Sequence, residues 1–488
     1  MHVSQTFAVV AVVLAACPVN AADCPNIVWI IVDDMSANFS CYGEKTIRTP
    51  HVDQLATEGA QFNKAFVTAP VCSPCRSALI TGCYQTTIGA HHHRSGRGEL
   101  KINLPGDVVP APVLFRKAGY YTCIGGFGAT GEKLGKTDYN FEWPRDMYDS
   151  NDWAGRKPDQ PFFMQVQLHG GKHRGQGPNK NWQTRVLKEL GSNTKTDDVK
   201  LPPYYPRDPV ILQDWADYLD CCRYTDKEVG DIIARLAKEK LLDKTLVFFM
   251  TDHGISHARG KQFLYDEGTH VPFVVRGPGI PKGAVRNDLI EHIDLTATSL
   301  ALAGIEPPKW MQGRNVFAKD YYAKRDAVFA ARDRCDETME HLRSVRTERF
   351  KYIRNYMNER PHLQPCRYKD DKAIVQKLRE LHTAKKLDEL TEKLLFADKR
   401  PAEELYDLSV DPFEVNNLAT DPNHKATLDV MKKQLAEWEE RTDDKGRKPE
   451  PIAIYDSDMK VYLGGGKKAN DELKRNIELN KKWASEGK

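Results

Sequence analysis

The sequence has little net charge: 71 Lys and Arg against 68 Asp and Glu leave a formal +3 over 488 residues. This excludes the global attraction to nucleic acid or anionic membranes that a strongly basic chain has, although a local cationic pocket can still hold a small anion. No apolar run, the N-terminal one included, is long enough to span a bilayer as a helix. The 11 cysteines include no metal-finger pattern among Cys41, Cys83, Cys123, Cys221, Cys222, Cys335 and Cys366. Buried thiols with one or two disulfides suit them, with the pairing left open. Repeats and low-complexity tracts are absent too. What is present is ordinary for a globular enzyme, with 40% hydrophobic and 28% charged residues. The length allows a large core and a second unit.

The first residues read as an export signal over 1–21. Phe7 to Ala16 are apolar, and Val19-Asn20-Ala21 has the small residues of a cleavage site. Leu14-Ala15-Ala16-Cys17 also has the form of a lipoprotein box, but Pro18 directly after the cysteine favours simple secretion or a periplasmic location over anchoring at Cys17.

Continuous apolar runs at 26–32, 162–168, 246–250 and 271–275 have the pattern of strands buried on both faces. Val229, Ile232, Ile233 and Leu236 lie at helical spacing before the third. Strands alternating with helices predict an α/β fold, a large mostly parallel sheet sandwiched by helices, over 22–330. After about residue 325 the texture changes to short basic strands, a charged helical stretch with Ile374, Leu378 and Leu381 on one face, and a helix carrying Leu428, Met431, Leu435 and Trp438. This predicts a smaller α+β domain over 331–488, ending after Gly464 in a Lys-rich tail that reads as a solvated helix or as partly disordered.

The chemistry-bearing residues fall just past predicted strand ends, the edge where open α/β sheets bind ligands. Asp33-Asp34 follow the first strand, His169 the second and Asp252-His253 the third. Cys72-Ser73-Pro74-Cys75-Arg76 opens a helix that runs to Gly82. Ser73 is expected to cap it and Pro74 to take its first position, with Arg76 in the first turn. The free N–H groups would then face residue 72, where an anion would sit.

Cys72-Ser73-Pro74-Cys75-Arg76 with Ser77-Ala78-Leu79-Ile80-Thr81-Gly82 resembles the signature of the formylglycine-dependent sulfatases of the alkaline phosphatase-like superfamily. The nearest look is that of sulfamidase-like and polysaccharide sulfatases. The likeness extends from Pro25 to about Asn417. It takes in Asp33-Asp34, Thr49 to Ala56, Thr251-Asp252-His253-Gly254, Gly260-Lys261 with Leu264 to Gly268, and Glu404 to Leu418. It implies that Cys72 is oxidised to formylglycine by a formylglycine-generating enzyme. One calcium ion is implied as well, held by Asp33, Asp34, Asp252, His253 and the modified residue 72 through hard oxygen ligands. His253 stands where many relatives have Asn and others His. The implied catalytic set is Cys72, Arg76, Lys136, His169 and Lys261, with His169 donating a proton to the leaving group. Gly135-Lys136-Thr137-Asp138 departs from the family's Gly-Lys-x-His, since Asp138 stands in the place of the histidine.

Consecutive histidines cannot all face one ion, so His91-His92-His93 is read as a loop that brings one histidine and Arg94 to the substrate. His93, Arg94, His173 and Arg332 are the substrate-contact candidates. The implied substrate is a sulfated carbohydrate, cleaved at a sulfate ester or sulfamate. A phosphoester or phosphonate hydrolase of the same superfamily is one alternative. An inactive carbohydrate-binding homologue is the other.

Overall fold

The computed structural model describes residues 24–175, 180–319, 325–464 and 471–488. The expected export signal and Cys17 lie outside the described residues. Among those described, no helix is long and apolar enough to cross a membrane, and every cysteine is a free thiol.

A seven-stranded sheet forms the centre, in the order β3-β4-β1-β5-β6-β2-β7. Its strands are β1 (Asn26–Val32), β2 (Ala60–Phe66), β3 (Tyr121–Gly126), β4 (Phe162–Leu168), β5 (Thr245–Thr251), β6 (His270–Arg276) and β7 (Ala284–Glu291). β1 shows why the predicted runs are continuous rather than alternating. Val28, Ile30 and Val32 face one core while Ile27, Trp29 and Ile31 face the other, and all are fully buried. Helices cover both faces, as two-sided burial of a mostly parallel sheet demands. One exception to parallel pairing is β6, which runs antiparallel to β5 and β2.

The amphipathic pattern ending at Leu236 belongs to a helix of 30 residues, Pro209–Lys238, capped by the Asp208 carboxylate. Its core includes Trp215, Tyr218 and Leu219.

A second, antiparallel sheet, β11-β10-β9-β8, comprises β8 (Ala327–Arg332), β9 (Leu342–Thr347), β10 (Phe350–Asn355) and β11 (Glu403–Asp407). The boundary expected between 330 and 331 falls inside β8. Ile374, Val375 and Leu378 of the Ala373–Thr383 helix join the core beneath the first sheet. Leu428, Met431, Leu435 and Trp438 pack on the second sheet. The tail differs from its expected solvated character. Helix Asp471–Ser485 buries Leu473, Asn476, Ile477 and Asn480, and Asn480 Oδ1 accepts a hydrogen bond from Met339 N.

Candidate active site

Strand register assembles the site. Val32 lies opposite Leu168 on one side and Thr251 on the other. The residues that follow, Asp33, His169 and Asp252, are therefore neighbours at one sheet edge. Asp33 N donates to Leu168 O, and Asp252 N to Val32 O. Asp34 has a left-handed backbone (φ 54°), which turns the chain sharply at the strand end.

The motif helix spans Cys72–Thr81 and begins two residues earlier than the sequence suggests. Val71 precedes it in extended conformation with no side-chain cap, and Cys75 N closes the first turn on Val71 O. Ser73 does not cap the helix: its Oγ accepts from Arg94 N at 2.8 Å and ties down the histidine loop. Pro74 is the third helical residue, and residue 72 lies within the first turn rather than ahead of it.

Cys72 is buried among charges. Its Sγ lies 3.1 Å from His253 Nε2, 3.1 Å from Lys261 Nζ, 3.5 Å from Asp33 Oδ1 and 3.7 Å from Lys172 Nζ. Burial raises the cost of a thiolate here, but Lys136, Lys172 and Lys261 outweigh it and hold the thiol well below its usual range. Arg76 donates through Nε to Asp252 Oδ2 at 3.0 Å, through Nη2 to Asp33 Oδ2 at 3.2 Å and through Nη1 to Gln167 Oε1. One planar guanidinium thus fixes two acids from different strand ends.

Asp33 also contacts Lys136, and it accepts from Lys172 Nζ at 2.6 Å. These cations hold its carboxyl well below the carboxylate range despite burial. Asp34 accepts from Lys261 Nζ at 2.8 Å and from Tyr368 Oη at 2.7 Å. Asp252 behaves differently. Burial and the charge of Asp33 push its carboxyl up, even with Arg76 bound to it. Asp33, Cys72, Asp252 and His253 each present a ligand atom, and all of these lie within 4.8 Å of one another. His253 Nε2 is 3.4 Å from Asp34 Oδ1. Three buried carboxylates with one of them short of positive charge suit a hard divalent cation such as calcium. His253 is the one nitrogen donor in an otherwise oxygen-rich set.

Two contributors were not anticipated. Lys172 follows Gly170-Gly171, where a Cβ would lie 2.1 Å from Asp33 O and 2.2 Å from Asp34 O. Only glycine lets this segment approach the acids so closely and deliver Lys172. A Gly-Gly pair directly after a catalytic-edge strand was the available signal. Tyr368 comes from the short Arg367–Asp370 helix of the C-terminal region, and no local pattern marks it.

The remaining candidates separate. His93 and Arg94 reach the site. Nδ1 of His93 is 3.1 Å from Asp336 Oδ1, and Arg94 Nη1 is 3.8 Å from the same oxygen. His91 and His92 pack against each other instead, with ring centroids 4.3 Å apart and planes inclined at 46°. His169 lies on the ring of Phe127 at 3.9 Å, and burial with neighbouring His173 lowers its pKa to about 4. His173 is not brought to the site. Its ring stacks on Trp182 at 5.2 Å and meets Tyr224 edge-on at 4.9 Å, with Nε2 3.5 Å from Glu228. Arg332 is likewise turned inward, with Nη1 3.7 Å from Glu340 and the guanidinium over Phe263. Asp138 pairs with Arg97 at 2.5 Å and Lys136 at 3.7 Å. A cavity of about 460 Å³ opens beside the site, lined by Arg94, Arg97, Asp336, Tyr368 and Tyr462 among others.

Comparison with known proteins agrees with this geometry. The family model described as Sulfatase matches residues 25–150 and 135–305. The model for the C-terminal part of N-sulphoglucosamine sulphohydrolase matches 253–395. An ulvan-active sulfatase of Formosa agariphila is 31% identical over 91% of this chain and 81% of its own length. Human N-sulphoglucosamine sulphohydrolase is 28% identical over 86% of this chain and 90% of its own. The fold also matches a solved protein bound to its substrate D-glucosamine-2-N,6-O-disulfate, with TM-score 0.58, 19% identity and 87% and 100% coverage of the two chains. A phosphonate monoester hydrolase from Silicibacter pomeroyi shares it as well, with TM-score 0.57, 18% identity and 86% and 97% coverage.

Proposed function

The chain belongs to the sulfatase family and is a sulfuric ester hydrolase; from that premise we propose that it removes sulfate from a sulfated carbohydrate, as ester or as sulfamate, through residue 72. The carrying observation is the setting of Cys72, buried on a helix first turn between the acids Asp33 and Asp252 and the cations Lys172 and Lys261. Relatives named for ulvan and for N-sulphoglucosamine support a glycan substrate. The protein is taken to be exported, matured by a formylglycine-generating enzyme and loaded with calcium.

Formylglycine at residue 72, as its hydrate, supplies the nucleophilic oxygen. Asp33, Asp34, Asp252 and His253 would hold calcium, which would supply positive charge beside residue 72. The chain's own residues do the rest. Arg76 holds Asp33 and Asp252 in register with each other. Lys136, Lys172 and Lys261 bring three ammonium groups to the place where a sulfuryl group would sit, and stabilise the charge on its oxygens. In the structure these lysines are paired with Asp33 and Asp34. Tyr368 and Arg94 border both the site and the adjoining cavity, whose size suits one or two sugar units.

The test is sulfate release, measured by ion chromatography, from a panel of glucosamine N-sulfate, sugar O-sulfates, ulvan oligosaccharides, and phosphate and phosphonate monoesters. Release from at least one sulfated sugar with weaker turnover of the phosphorus esters is expected. Turnover of the phosphorus esters alone would overturn the proposal.

A further inference from the structure

His93 is the one histidine of its loop that enters the site, and it is 4% exposed. Nδ1 is engaged by Asp336 at 3.1 Å, with Cys335 Sγ at 3.6 Å. Nε2 is buried and has no hydrogen-bond partner. A ring nitrogen of His93, a carboxylate oxygen of Asp138 and Cys72 Sγ all lie within 4.8 Å of one another. The ring that carries the open Nε2 thus comes to Cys72 and Asp138. A buried polar nitrogen left open and directed at the reacting residue costs stability unless a ligand completes it.

The cavity lies on the same side. Asp336, which holds the ring, is in its wall together with Arg94 and Tyr368. His169 lies against Phe127 and His173, with ring centroids 3.9 and 4.7 Å away. Asp138, at the position where the resemblance expects a histidine, is paired with Arg97 and Lys136. An ionised carboxylate in that place accepts protons and cannot donate one.

We propose that His93, oriented by Asp336, is the residue that gives a proton to the leaving oxygen or nitrogen; this rests on the sulfatase reading above. As the oxygen on residue 72 bonds to sulfur, the bond from sulfur to the sugar oxygen or nitrogen breaks. That atom keeps the electron pair and takes the proton from Nε2. The neutral imidazole then accepts the proton of the second hydroxyl on residue 72 as sulfate departs, which restores His93. Asp336 acts as a positioning residue, fixing the tautomer and the ring plane. The pairing with Asp336 also holds the imidazole well above its usual pKa despite burial, so the proton is available near neutral pH.

The test compares two leaving groups in the fully modified, calcium-loaded enzyme. A sugar sulfate has a poor leaving alcohol that needs the acid; nitrophenyl sulfate leaves as a stable phenolate and needs little help. His93→Asn is expected to lower kcat on the sugar sulfate by about 10²–10⁴-fold, the usual range for a general acid, and far less on the aryl ester. Asp336→Asn is expected to show the same selectivity with a smaller loss, and it carries the test if His93→Asn fails to fold. A second readout needs no turnover. In long-range ¹H–¹⁵N spectra of the unmodified chain labelled at histidine, His93 Nδ1 should be protonated, and Asp336→Asn should remove that preference. Equal losses on both esters in folded variants, no loss on the sugar sulfate, or a bare Nδ1 in the parent would each overturn the proposal. A parent enzyme inactive on both esters would instead refute the sulfatase reading, and the proposal with it.

Discussion

Replacing Lys172 with methionine keeps much of the side-chain length and removes an ammonium that lies 2.6 Å from Asp33 Oδ1 and 3.7 Å from Cys72 Sγ. The Lys172 side chain is 23% exposed and that of Asp33 is fully buried, so the pair is little screened. A buried charge that loses its sole partner costs roughly 3–5 kcal/mol. Asp33 retains Arg76 and Lys136, so the expected loss of stability is smaller, about 1–2 kcal/mol. The effect on rate should exceed it. One preorganised donor aimed at developing negative charge accounts for about 10²–10³-fold in kcat, or roughly 3–4 kcal/mol of barrier. The assay is initial-rate sulfate release at saturating substrate, with thermal unfolding of the same samples. Lys172→Met with kcat within about threefold of the parent, less than 1 kcal/mol of barrier, would refute the placement of Lys172 among the groups that stabilise the reacting sulfuryl.

Tyr368→Phe removes the hydroxyl that donates to Asp34 at 2.7 Å and leaves a buried carboxylate oxygen short of a donor; a loss of about 1–3 kcal/mol is expected in denaturant unfolding, together with a raised KM. His173→Ala is expected to leave KM for the sugar sulfate nearly unchanged while costing about 2–4 kcal/mol of stability, because its ring packs on Trp182 and Tyr224; a large rise in KM in a stable variant would show that His173 does reach the substrate. His292 is fixed in its neutral form, accepting from Thr68 N at Nδ1 and donating from Nε2 to Cys75 O, and burial lowers its pKa to about 4. Below its unfolded pKa, about 6.5, the unfolded chain binds a proton that the folded one refuses, so this contribution to stability is present at pH 7 and falls as the pH drops toward 4. The slope is at most about 1.4 kcal/mol per pH unit, and His292→Gln should remove that slope from unfolding curves measured across this window.

The strands that carry the site were legible because each is buried on both faces and therefore apolar throughout. β1, β4, β5 and β6 all occur where continuous apolar runs predict them. β2, with Gln61, Asn63 and Lys64, and β3, with Thr122 and two glycines, lack that pattern because they pair nearer the sheet margins. The acids after β1 and β5 were legible from position alone, since a polar pair ending a buried strand has to face a site or solvent. Lys172 and Tyr368 were not. Lys172 depends on a close backbone approach that two glycines permit, and Tyr368 depends on how the C-terminal region docks. His173 and Arg332 show the converse. Both have the residue type for anion or sugar contact, yet tertiary packing turns them into an aromatic cluster and a buried ion pair. The motif helix was placed correctly in kind but two residues late, because Val71, not Ser73, precedes its first residue.

The most direct test of the central claim is the mass of the Cys72 peptide from protein made in its native host or alongside a formylglycine-generating enzyme. Conversion of the thiol to the aldehyde removes about 18 Da, a change distinct from every rung of ordinary thiol oxidation, which adds mass. A peptide lighter by that amount, in protein that releases sulfate, is the predicted result. Unmodified Cys72 in protein that still releases sulfate at full rate would contradict a mechanism built on the modified residue.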